Sequence, residues 1–179
     1  MKLKIMITLS ILVFTVVNGY SSDRPYQSWG MALSSFSGSG LSYRYHFENK
    51  WGLQITGGAI ISDEHKNYAI GLEMQSDLTS IKDKRVYLIA SLGWYGETEE
   101  VFPKNGKTYE TINVDIDYYK IAIGLGGELA FGNSIVNNLS LGIAIFPIGI
   151  AIKERHSYPG YDDTSEVGFG ASIFSHFNF

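Results

Sequence analysis

The chain has 179 residues and no cysteine. That excludes a disulfide framework, thiolate catalysis and a cysteine-ligated zinc site. Charge is also scarce. Asp, Glu, Lys and Arg together make up 18%, against about a quarter in ordinary globular chains. The balance is slightly acidic, at net -4, so there is no basic footprint for nucleic acid. No stretch reaches the roughly 20 apolar residues that a membrane-spanning helix needs. Glycine-rich phosphate loops are missing too: "GLGGE" lies inside a strand-like pattern with no helix after it. No metal motif and no cofactor motif is found. Asp162, Asp163 and Glu166 could meet a divalent ion with lipid phosphates, but aspartates in a loop usually serve as solvated turn residues.

Aromatic and small residues fill the space that charge leaves. There are 12 Tyr, 10 Phe and 3 Trp, together 14%, and 20 Gly. The start reads as an export signal over residues 1–19. Lys2 and Lys4 form a basic head, "IMITLSILVFTVV" an apolar run, and "VNG" a stretch of small or modest residues before Tyr20. The mature domain is then residues 20–179.

That domain alternates with period two, over and over, between turn signals. Eight strands are expected: residues 28–35, 40–47, 51–61, 67–76, 84–96, 117–131, 138–152 and 166–179. Most are near the roughly 9–11 residues with which a tilted strand crosses a bilayer. The connections alternate in length, and the two longest, "ETEEVFPKNGKTYETINV" and "KERHSYPGYDDTS", fall on the same side. An even strand number with long loops on one side suits a closed antiparallel barrel. "SFSGSG", short and Gly/Ser-rich, is the exception among the loops of that side.

The two phases of each strand differ in bulk. On the second strand Leu41, Tyr43, Tyr45 and Phe47 alternate with Ser42, Arg44 and His46. On the sixth, Tyr119, Ile121, Ile123, Leu125, Leu129 and Phe131 alternate with Lys120, Ala122, Gly124, Gly126 and Glu128. Eight strands enclose an interior only just wide enough for side chains to fill. The bulky phase is too large for it, so the bulky phase is expected outside, against lipid. The fold class that follows is all-β, an eight-stranded antiparallel transmembrane up-and-down barrel. The seventh strand changes phase at Pro147: Leu139, Leu141, Ile143 and Ile145 precede it, and Ile148, Ile150 and Ile152 follow. Proline donates nothing to a ladder, so a β-bulge is expected at Phe146–Pro147, near the outer rim or satisfied internally.

Aromatics gather at strand ends, as in membrane interface belts. Trp29, Phe47, Trp51, Phe131, Phe177 and Phe179 would form one girdle, and Tyr68, Trp94 and Tyr119 the other. The chain ends "SIFSHFNF", with Phe177 and Phe179 on the greasy phase. Such an ending resembles the assembly signal of bacterial outer-membrane barrels. "GLSYRYHFENKWGLQITGG" resembles the hairpin region of small barrels of the OmpX/OmpA transmembrane type. The resemblance implies a bacterial outer-membrane location, contact with outer-membrane lipid and lipopolysaccharide, and insertion by the barrel assembly machinery.

Inside, Arg44, Arg85 and Lys120 face Glu73 and Glu128, with His46, His176, Gln54, Gln75 and Tyr87 in the same phase. Buried charges must be paired to be tolerated. These residues are therefore expected to plug a narrow lumen, and the protein to be non-catalytic, acting structurally or through its outer loops. The residues do not identify an extracellular partner. Two other readings exist. One is a barrel that passes small or hydrophobic molecules, with a lateral opening near Pro147. The other is a lipid A-modifying acyl enzyme, using Ser62, Asp63, Glu64 and His65 or His156, Ser157, Asp162 and Asp163. The second lacks a His-x-Ser pattern, and adjacency in sequence does not supply a triad.

Overall fold

The computed structural model describes residues 26–48, 50–61, 66–81, 84–101, 112–131, 139–155 and 164–179. The expected signal segment lies outside the described residues. Eight strands form one sheet: β1 (Tyr26–Ser34), β2 (Ser39–His46), β3 (Trp51–Ile61), β4 (Lys66–Ile81), β5 (Lys84–Val101), β6 (Ile112–Phe131), β7 (Leu139–Arg155) and β8 (Thr164–Asn178). Each is antiparallel to the next, and β8 pairs with β1 to close the barrel. Closure runs to the last residue. Gln27 N donates to Phe179 O at 3.1 Å, and Phe179 N to Gln27 O at 2.8 Å. This leaves no edge at the end where Tyr26 and Phe179 lie, the terminal end.

The alternation of the sequence becomes an inside and an outside. Along β2, Ser42, Arg44 and His46 are buried inward, and along β3, Gln54 and Thr56. Leu92, Leu125, Ile143 and Phe177 point outward and are about half exposed. Inward volume is balanced across neighbouring strands. A Cβ on Gly126 would strike the Tyr87 ring, and one on Gly142 the Phe174 ring. Tyr87, Ile89, Phe146 and Phe174 thereby fill the middle of the lumen as one apolar layer.

Several strands outrun their expected bounds. β4 continues from Ser76 to Ile81, because Asp77 keeps the inward phase of Glu73 and Gln75 and finds partners there. A register shift between Asp77 and Thr79 takes up Leu78. β5 and β6 extend to Val101 and Ile112, and the inward Val114 and Ile116 are buried. Charged residues there had read as loop, yet alternation continues through them. The bulge falls where proline placed it: the β7–β8 register shifts between Phe146 and Gly149, and the β6–β7 register between Ile123 and Leu125. It lies within the strand rather than at its rim. Beyond it, Ile148 and Ile152 face outward again.

Because the Phe174 ring fills the space beside Gly142, Gly142→Val overpacks the middle layer. It should lower stability by about 1–3 kcal/mol, read from the urea midpoint of the folded protein. Gly127→Val, whose added Cβ meets only one atom within 4 Å, at 3.9 Å, should change the midpoint less.

Candidate functional site: the barrel lumen

The terminal half of the lumen holds a chain of alternating charge drawn from four strands. Arg44 on β2 grips Glu128 on β6 with both ends of its fork, Nη1 to Oε2 at 2.7 Å and Nη2 to Oε1 at 2.6 Å. Arg85 on β5 reaches the same carboxylate, Nη1 to Oε2 at 2.9 Å. It also reaches Asp77 on β4, Nε to Oδ1 at 2.7 Å. All four residues are at least nine-tenths buried. Charge-assisted forks of this kind are the strong hydrogen bonds of proteins. The remaining donors are spent on neutral groups. Arg44 Nε donates to Ser28 Oγ at 3.2 Å, and Arg85 Nη2 to Gln75 Oε1 at 3.0 Å. Each guanidinium also stacks on the aromatic layer, Arg44 5.5 Å from the Phe174 centroid and Arg85 4.6 Å from that of Tyr87.

His46 and His176 join this half. His46 Nε2 lies 3.1 Å from Asp77 Oδ2, near enough to pair but without hydrogen-bond alignment. Its ring packs on Tyr26. His176 Nε2 is 3.0 Å from Ser42 Oγ, and Nδ1 has no hydrogen-bond partner among the described residues. This serine–histidine contact is sealed in the barrel, with His176 at 0% and Ser42 at 1% exposure. Among the described residues no carboxylate pairs with His176 Nδ1, the contact that a triad needs.

Glu73 and Lys120 stand apart from that network. Both belong to the inward phase but lie toward the other end, against the segment that joins β1 to β2. The Ser37 hydroxyl donates to the Glu73 carboxylate, and Lys120 Nζ donates to Ser35 O at 3.2 Å. Sequence reasoning missed Asp77, which sat in an apparent turn, and Phe36 and Ser37, which sat in an apparent outer loop. Asp77 was findable, since the spacing Glu73, Gln75, Asp77, with Arg85 eight residues on, keeps one phase. Nothing in "SFSGSG" announces that it turns inward.

The aromatic positions divide as follows. Trp29, Phe47, Trp94, Tyr119, Phe131, Phe177 and Phe179 are exposed on the outside, and Trp51 and Tyr68 partly so. Tyr68 and Trp94 pack edge to face, and both donate to Asp117 Oδ1. Farther out, Asp115 accepts from Lys66 Nζ at 3.1 Å and Thr98 Oγ1 at 2.9 Å. These two bonds, Lys66 first, hold its carboxyl below the usual carboxylate range. Among the described residues no cluster of His, Asp or Glu is arranged to hold a metal ion. The loop candidates Ser62–His65 and His156–Asp163 lie outside the described residues.

No protein-family model matches this chain, and no curated protein matches it in sequence.

Removing one partner of a buried pair is costlier than never having built it. Arg85→Met strands Asp77 without a cation and should cost about 3–5 kcal/mol in urea unfolding. Adding Asp77→Asn should recover part of that loss, because it removes the orphaned charge. At the outer end, Lys66→Ala should move Asp115 up toward the ordinary carboxylate range in a carbon-13 NMR titration. Its ionised form is favoured at higher pH, so the small stabilisation from this pair fades as pH falls through the depressed value.

Proposed function

We propose that the chain is a non-catalytic β-barrel of the bacterial outer membrane, exported by a cleaved signal peptide. One observation carries this reading: the barrel's polarity is inverted. Arg44, Arg85, Glu128, Asp77, His46 and His176 are buried inside, while Leu, Ile, Val, Phe and Trp side chains cover the outside at 38–77% exposure. A soluble barrel would bury the second set and expose the first. A lipid phase accepts this arrangement, and a closed sheet satisfies the backbone within it. On this reading Trp29, Phe47, Phe131, Phe177 and Phe179 mark the periplasmic interface, and Trp94 and Tyr119 the outer one. Phe177 and Phe179 present the closing strand to the assembly machinery. Outer-membrane lipid and lipopolysaccharide are the contacts of the outer face.

The role is structural, or one of surface interaction through the outer loops. The filled lumen does not support a conducting pore, since charge network, aromatic layer and inward segment succeed each other along it. An acyl-transfer role has no described residues in its favour.

The experiment is membrane fractionation followed by electrophoresis with and without boiling. Detergent-dependent extraction and a mobility shift on boiling are expected. Release into buffer without detergent, with no shift, would overturn the reading. Leu92→Arg adds a second check. On a lipid-facing wall it should cost about 2–4 kcal/mol and lower folded yield. On a water-facing surface it should cost within about 0.5 kcal/mol.

A further inference from the structure

The segment Ser35–Gly38 joins β1 to β2 by turning into the barrel. Phe36, Ser37 and Gly38 are buried, and Gly38 has φ of +88°, which L side chains rarely adopt. Four inward glycines on four strands make room for it. A Cβ on Gly71 would collide with the Ser37 carbonyl, and one on Gly93 with the Phe36 carbonyl. A Cβ on Gly149 or Gly170 would collide with the Phe36 ring. The ring meets Phe146 edge to face, with centroids 5.5 Å apart. Side chains hold the backbone: Lys120 Nζ donates to Ser35 O, and Tyr95 OH donates to Ser34 O at 3.0 Å and accepts from Gly38 N at 2.7 Å.

Three observations separate this segment from ordinary core filling. Beneath it, Glu73 Oε2 and Ser91 Oγ are buried with no hydrogen-bond partner among the described residues, although they are register neighbours on β4 and β5. A native core leaves few such atoms. Beside it, the wall is incomplete. The ladder of β1 with β8 ends at Ser34–Ser172, and beyond it Ser35 N donates to Ala171 O and Ala171 N to Ser35 Oγ. From Thr164 to Gly170, β8 is paired with β7 alone among the described residues, and Val167 and Phe169 are 77% and 70% exposed. Above it, Lys120 has no carboxylate within 4.0 Å among the described residues. Its ammonium lies instead 4.1 Å from the Tyr95 centroid. Glu97, whose charge reaches it, already accepts from Tyr118 OH at 2.6 Å.

We propose that Ser35–Gly38 is a displaceable internal ligand, and that the slot it fills binds a small amphiphile with an apolar or aromatic end and an anionic oxygen at the other. The apolar end takes the place of the Phe36 ring against Gly149, Gly170 and Phe146. The oxygen takes the place of the Ser35 carbonyl on Lys120 Nζ. The ligand reaches the slot through the gap beside the free stretch of β8. Entry from the outer leaflet rests on the membrane reading above; the slot itself does not.

The chain's lack of cysteine makes the test clean. Ser35→Cys with Ala171→Cys places two thiols across the β1–β8 junction, so oxidation pins the segment and reduction frees it. The probe is anilinonaphthalene sulfonate, an aromatic anion of the proposed class, with folding scored in parallel by the shift on boiling. Oxidation should weaken dye binding about tenfold relative to the reduced pair, the change expected when a competent state is depopulated by that factor. Phe36→Ala should strengthen binding by a similar factor, and Lys120→Gln in that background should reverse the gain. Equal binding by oxidised and reduced protein would overturn the proposal, as would no binding by either the reduced pair or Phe36→Ala. If Phe36→Ala does not fold, the disulfide pair alone decides. If the native protein is soluble and shows no shift, the membrane reading fails while the dye comparison, run in plain buffer, still judges the slot.

Discussion

Interior volume is the constraint on which the rest of this barrel depends. Eight strands leave room for little more than one large side chain at each level. Three of the inward aromatics therefore face inward glycines: Tyr87 against Gly126, Phe174 against Gly142, Phe36 against Gly149 and Gly170. These glycines supply space rather than flexibility. With the interior filled, most of the chain's Leu and Ile are left on the outer wall. The exposed apolar surface is thus a consequence of strand number as much as of any outside solvent, and lipid is the environment in which it is not a liability.

Within that narrow space the alternating charges Asp77, Arg85, Glu128 and Arg44 link β4, β5, β6 and β2, and the Arg44–Glu128 fork crosses the lumen between strands that share no ladder. Their net contribution to stability is small, since desolvation offsets most of the attraction. Their effect on register is larger. A slip of one residue moves a strand's inward set to the outside. For β2, β5 or β6 that would carry an arginine or Glu128 into the apolar face and leave its partners uncompensated. Wrong registers are penalised more heavily than the right one is rewarded.

The strand number, the two phases and the bulge were legible because each leaves a periodic trace. Gly124, Gly126 and Glu128 keep period two, and Pro147 marks where Ile145 and Ile148 break it. Charge misled the reading at the ends. Asp77 and Glu97 look like loop residues by composition, yet Asp77 is inward with Arg85, and β5 runs on past Glu97 to Val101. The inward turn of Ser35–Gly38 left no trace in its own residues. Its imprint is on other strands, in Gly71, Gly93, Gly149 and Gly170, which in sequence look like any small lumen residues. Only the fold brings those four to one level, so no local window of sequence could have found the segment they receive.

Turning β1 into β2 inside the barrel has a consequence for the wall. It removes the neighbour that β8 would otherwise have above Ala171. In the ladder, Val167 is level with Ile150 and Ile121, two residues toward the terminal end from Tyr119. If Tyr119 marks the outer interface, the part of the free stretch from Glu166 to Gly170 lies below it, at a depth where unpaired backbone is tolerated only when it is covered or lines a wet cavity. Hydrocarbon alone would leave the backbone N–H and C=O groups of that edge unsatisfied. The gap therefore favours water or a polar group, next to a slot whose walls are apolar. A molecule apolar at one end and oxygen-rich at the other meets both demands, which is the chemistry that Phe36 and the carbonyls beside it now supply from within the chain.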